Sequence, residues 1–196
     1  ELMTVPAPSP VREIPGAAGP LEALLELPAG PPRAVVVLAH PLPTHGGTMH
    51  TKMIFQAAKG LARVGCAVLR FNFRGVGRSQ GTFDYGVGER ADFTAALDWM
   101  SAKFPGVPLW AAGFSFGSWV ALETGAADPR VSLLIGIVLL RRDVPVGELK
   151  RLLDAAPDDL RVGLIDVHEA SVHAAERQPH RRALKKLPVV ALALVE

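Results

Sequence analysis

The chain has 196 residues, 49% of them hydrophobic, enough to bury the core of one compact domain. Lys and Arg number 21 and Asp and Glu 19, for a formal net charge of +2, a balance that argues against nucleic acid or an anionic membrane as the main partner. The lone cysteine, Cys66, excludes an internal disulfide, fits a reducing cytosol, and reads as a buried small residue.

The first 32 residues are rich in Pro and Gly and carry one alternating segment, Leu21 to Leu27. They read as an opening β-hairpin or meander at a sheet edge. No basic region followed by an apolar stretch stands near Glu1, so no signal peptide is expected and the expected location is cytoplasmic. Ala34 to Ala39 is an unbroken apolar run, as in a strand covered on both faces. Residues 49–64 follow with Met53, Ala57, Leu61 and Val64 at helical spacing. Cys66 to Phe73 reads as a second strand, and residues 89–104 as a helix striped by Phe93, Leu97, Met100 and Phe104. Pro108 to Gly113 is a third strand, Phe116 to Ala127 a third helix, and Val131 to Leu140 a fourth strand. Such alternation predicts a mostly parallel sheet with helices on both faces and ligands beyond the carboxyl ends of its strands.

The remainder is less regular. Glu148 to Ala155 reads as a helix, Val162 to Val167 as a strand, Glu169 to Lys186 as helix-like around Pro179, and Pro188 to Val195 as a last strand. The longest apolar runs, Val131 to Leu140 and Leu187 to Val195, are far shorter than the roughly 20 residues of a membrane helix. One domain, 1–196, is expected, with 1–32 as its N-terminal hairpin region and 138–196 as a divergent tail.

Gly113-Phe114-Ser115-Phe116-Gly117 matches G-x-S-x-G between an apolar strand and an amphipathic helix. In that setting the serine sits at the apex of a tight strand-to-helix turn, and the flanking glycines allow the close backbone approach. The Phe116 amide and the positive end of the helix then face an oxygen of a carbonyl under attack. His40-Pro41-Leu42-Pro43, directly after the first long strand, is where the second oxyanion donor belongs. Proline carries no N–H, so Leu42 is the candidate. The five-residue spacing of His40, His45 and His50 does not suit a zinc site, so these read as loop-packing residues and no metal is expected. Gly75 to Gly81 has the form GxGxxxG and opens no helix, so it reads as a turn and not as a dinucleotide site. Arg74 and Arg78 find candidate partners in Asp84 or Glu89, with solvated surface charge as the alternative.

His40 to His50 followed by Lys52, Arg70 to Ser79, and Gly113 to Gly117 together resemble the small lidless α/β-hydrolases of bacteria, esterase-like serine hydrolases. The likeness runs from about Ile14 to Ile137. It implies an α/β-hydrolase-type sheet with a short or atypical C-terminal part, Ser115 as nucleophile, and Leu42 and Phe116 lining the oxyanion hole. The tail departs from the family's Gly-x-x-Asp and Asp-His-Phe settings. Asp166, after Val162 to Ile165, can stand in for the acid, and His168, His173 and His180 remain as candidate bases. The expected activity is hydrolysis of a small carboxylic ester or thioester without a cofactor, in a site that the stretch 141–160 is too short to cover with a large lid. A small acyl substrate is the expected partner. A catalytically impaired binding scaffold and an acyltransferase or thioesterase using the same serine are the alternatives.

Overall fold

The computed structural model describes residues 11–140, 161–166, 171–174 and 188–195. Strand β1 (Glu13–Ile14) pairs antiparallel with β2 (Leu21–Glu26), the opening hairpin. After it come β3 (Ala34–Ala39), α1 (Lys52–Arg63), β4 (Cys66–Phe71), α2 (Val87–Lys103), β5 (Leu109–Phe114), α3 (Phe116–Ala127) and β6 (Val131–Leu140). The tail adds β7 (Arg161–Asp166), β8 (Ser171–Ala174) and β9 (Pro188–Val195).

The strands join in the order β1-β2-β4-β3-β5-β6-β9-β7-β8. Strands β4, β3, β5, β6, β9 and β7 run parallel, while β1, β2 and β8 are attached antiparallel. Both faces are covered. On one side Ala34, Val36 and Leu38 of β3 pack with Ile54 and Ala58 of α1. On the other, Val35, Val37 and Ala39 pack with Phe93 and Leu97 of α2 and Val120 and Ala121 of α3. Burial on both faces is why β3 and β4 tolerate unbroken apolar runs.

Two expectations need correction. The buried line of α1 is Ile54, Ala58 and Ala62, one position on from the stripe read in the sequence; Met53, Ala57 and Leu61 are only half-buried. Val64 lies past the helix end and is exposed. The helix lies across the sheet on a broad apolar face, so the sequence stripe marks its flank. In the tail, Ser171–Ala174 is a strand, not part of a helix: it pairs with β7 from Asp166↔Ser171 to Gly163↔Ala174, and sheet pairing outweighs local helical composition. The readings at 148–155 and 141–160, and the rest of 169–186, lie outside the described residues.

Candidate active site

Ser115 stands between β5 and α3, exposed, at φ 54° and ψ −119°. A non-glycine residue at positive φ is strained and needs its surroundings to hold it. Those surroundings are specific. The Ser115 N–H donates to the Ile137 carbonyl of β6 at 3.0 Å, and the Ser115 carbonyl accepts the Ser118 N–H at 2.9 Å as the helix begins. A Cβ on Gly113 would collide with the Gly117 backbone. One on Gly117 would lie 2.5 Å from the carbonyl oxygens of Ala39 and His40. Glycine at both places is therefore a packing requirement.

Ser118 carried no signal in the sequence beyond being a serine one turn into a helix. It is buried, donates from Oγ to the Gly113 carbonyl at 2.6 Å, and accepts the Ile137 N–H at 3.1 Å. It thereby locks β5, β6 and α3 together beneath Ser115.

The loop after β3 makes a short 3-10 turn at Pro43–His45, closed by Gly46 at φ 78°. Among the described residues, neither the Leu42 nor the Phe116 amide donates a hydrogen bond within the protein. Two polar residues of the second strand region, read only as strand positions in the sequence, hold this loop. The Asn72 side-chain carbonyl accepts the Met49 N–H at 2.8 Å, and the Arg70 guanidinium donates to the Met49 carbonyl at 2.7 Å. Arg70 also pairs with Glu26 at 2.7 Å, both nearly buried, with Lys59 3.4 Å from the same carboxylate. A charged and an amide side chain inside the apolar run Cys66 to Phe73 was the available signal.

His40 is fully buried. Its Nδ1 lies 2.7 Å from the Pro41 carbonyl, and its Nε2 accepts the Phe73 N–H at 3.1 Å. The partners fix the tautomer, because a carbonyl only accepts and an amide N–H only donates. Burial pushes the His40 pKa down to about 4 against the upward pull of the Pro41 carbonyl, so the ring is neutral at pH 7. Both nitrogens are committed to backbone, which suits a loop-packing role. His45 and His50 are exposed. Among the described residues no group of three or more His, Cys, Asp or Glu side chains is placed to hold a metal.

The loop from Arg74 to Gly86 is held by α2. Arg74 pairs with the buried Asp92 at 2.7 Å, which also accepts the Arg74 backbone N–H at 3.0 Å. Arg78 pairs with Glu22 at 3.3 Å. Neither arginine takes the partner expected from the sequence. Asp92 sits one helical turn beyond Glu89, and Glu22 lies on β2, beyond the reach of local spacing. Burial raises the Glu22 pKa, but the Arg78 N–H, the Asn72 amide and the Arg78 charge outweigh it and hold the carboxyl below its ordinary value. Cys66 is buried as expected, and burial pushes its thiol up.

The tail is less convergent. Asp166 ends β7 in register with Ala193 of β9, which pairs with Val138 just beyond Ile137. It therefore reaches the same edge as Ser115 but three strands from β5, roughly 14 Å at about 4.8 Å per strand. His173 lies on β8, one strand further and level with Leu164. His168 and His180 lie outside the described residues.

The family described as serine aminopeptidase, S33, matches residues 30–146. The chain belongs to this α/β-hydrolase family. It is similar to an α/β serine hydrolase without a lid from Xanthomonas campestris, at 28% identity and a TM-score of 0.67, covering 93% of this chain and 82% of that one. It is also similar to an α/β serine hydrolase homologue from Coxiella burnetii, at 25% identity and a TM-score of 0.70, covering 100% of this chain and 89% of that one. An uncharacterized protein of Rickettsia prowazekii is 39% identical over 123 residues, 62% of this chain. The chain spans about half the length of that relative, 52%. The family and the fold agree with the resemblance read from the motifs. Among the described residues no helix is long and apolar enough to cross a membrane.

Proposed function

We propose that the chain is a serine hydrolase acting on small carboxylic esters or thioesters, with Ser115 as nucleophile. The observation that carries this reading is the exposed, positive-φ Ser115 at the β5-to-α3 turn, directly before the Phe116 amide, which donates to no group among the described residues. Ser115 Oγ attacks the substrate carbonyl and passes its proton to a base. The amides of Leu42 and Phe116 hold the resulting oxyanion, helped by the positive end of α3. The tetrahedral adduct then collapses to an acyl-serine, and the alcohol or thiol leaves with the proton. Water attacks the acyl-serine by the reverse sequence, releasing the acid and restoring Ser115. Exposure of Ser115 leaves water access open and favours hydrolysis over transfer. His173, four strands from β5, is too far away to serve as that base, which leaves His168 or His180 of the tail, or no histidine of this chain, with Asp166 as the candidate acid.

A second reading, a binding scaffold with weak turnover, is favoured by one observation. Both His40 nitrogens are bonded to backbone, and no histidine of the described residues hydrogen-bonds Ser115. Hydrolysis of p-nitrophenyl acetate separates the two. The enzyme reading expects turnover that falls by roughly 10³-fold or more in Ser115→Ala. Equal rates for the two folded proteins overturn it.

A further inference from the structure

We infer that Tyr85 is a specificity-determining residue that offers its ring to an aromatic group carried close to the scissile carbonyl; the inference rests on the ester-hydrolase reading. Tyr85 is 83% exposed and holds φ 50°, the second non-glycine residue at positive φ besides Ser115 among the described residues. A strained backbone of this kind persists only where its neighbours impose it. The neighbour here is Glu89, a fully buried carboxylate of α2. It accepts the N–H of Asp84 at 2.9 Å and the N–H of Gly86 at 2.7 Å, the amides on either side of Tyr85. Asp92 fixes the start of the same loop through Arg74. Two buried carboxylates thus hold a loop whose tip displays a largely exposed ring to solvent.

The ring is connected to the site. Tyr85 lies 5.0 Å from Phe83, centroid to centroid; Phe83 lies 5.8 Å from Phe116, and Phe116 5.8 Å from Trp119. Phe116 follows Ser115 directly, and the Trp119 N–H donates to the Ser115 carbonyl at 3.3 Å. A Cβ on Gly86 would run into the Trp119 indole, so the loop packs its backbone against that ring. The interplanar angles of these contacts, 55°, 60° and 49°, form a tilted aromatic ladder of the kind that accepts one more ring. The loop that follows β3, Pro41 to Gly47, carries Leu42 among proline, threonine, histidine and glycine, and no Phe, Tyr or Trp. A substrate bonded to Ser115 therefore meets phenyl, phenol and indole rings on the Tyr85 side. The chemical class is an ester with an aryl group within a few bonds of the carbonyl, on either the acyl or the alcohol half.

The test compares kcat/KM for methyl 3-phenylpropionate, benzyl propionate and ethyl propionate in the wild type, Tyr85→Phe and Tyr85→Ala. Tyr85→Ala should lower the aryl-to-alkyl ratio about three- to tenfold through KM, and Tyr85→Phe should retain it. The ester whose ratio falls identifies the half that carries the ring. An unchanged ratio for both aryl esters, or an equal fall on all three esters, overturns the inference. A second readout needs no turnover: binding of the two aryl esters to Ser115→Ala protein, with and without Tyr85→Ala, followed by ligand-observed NMR. Binding that Tyr85→Ala weakens supports the inference, and where the folded wild type also cleaves none of the three esters it is the hydrolase reading that is refuted. Binding that Tyr85→Ala leaves unaltered, or no binding of either ester, refutes the inference even where esters are cleaved.

Discussion

Two loops leave adjacent strands at the carboxyl edge of the sheet, and they are built on the same plan for different ends. The loop after β3 is held by Arg70 and Asn72, which grip the backbone of Met49. The loop after β4 is held by Glu89 and Asp92, which grip the backbone of Asp84, Gly86 and Arg74. In each, buried polar side chains satisfy loop backbone that would otherwise lack partners. The first presents an amide, at Leu42; the second presents rings, at Phe83 and Tyr85. On the function proposed above, the contrast divides the work of the site: one loop would serve the reacting oxygen, the other the rest of the substrate.

The largest expected effect tests the anchors themselves. Arg74→Met leaves the Asp92 carboxylate buried without its cation and should cost about 3–5 kcal/mol in urea denaturation. Arg70→Met should cost less, because Lys59 stands 3.4 Å from Glu26 and retains part of the pairing. Equal losses contradict this difference between the loops.

The next effect is a pH dependence confined to the first loop. Folded His40 takes up a proton only near pH 4, against an ordinary value of 6.5. Between those values the unfolded chain binds more protons than the folded one, so stability falls as pH drops through this window. The His40 contribution is fully present above about pH 6.5 and amounts to about 3 kcal/mol. A His40→Leu protein should start less stable and show a shallower decline in Tm from pH 7 to 4. Parallel curves for the two proteins contradict the assignment.

The smallest effect is also the sharpest for the comparison. Asn72→Ala loosens the loop that carries Leu42 and should lower kcat roughly tenfold for every ester alike. Glu89→Gln sets an NH₂ against one of the two amides it now accepts, and should cost about 1–3 kcal/mol. It should alter the aryl-to-alkyl preference more than kcat on a small alkyl ester. The opposite pattern in a two-ester kinetic assay reverses the division of labour.

Much of this was legible in the sequence, for physical reasons that differ by region. Strands β3 to β6 announce themselves because burial on both faces demands apolar residues throughout. The turn at Ser115 is legible because its glycines are steric necessities, as the collisions at Gly113 and Gly117 show. The anchors were not legible as anchors. Arg70, Asn72 and Asp92 act on backbone about 20 residues away along the chain, which only the folded structure brings to them, while Glu89 acts locally, on amides three and five residues before it. The strained backbone of Tyr85 leaves no compositional mark, since it is imposed from Glu89. In the tail, β8 shows pairing overriding helical composition, and Asp166 reaches the right edge while β9 separates its strand from β6.

The central claim is that Ser115 is the nucleophile, and a fluorophosphonate tests it most directly. The reagent forms a stable phosphonyl ester with an activated serine hydroxyl, releasing fluoride. Peptide mass spectrometry of the labelled, folded protein should place one adduct on Ser115, and Ser115→Ala should take up none. Labelling that persists undiminished in Ser115→Ala, or no labelling of the folded wild type, contradicts the account.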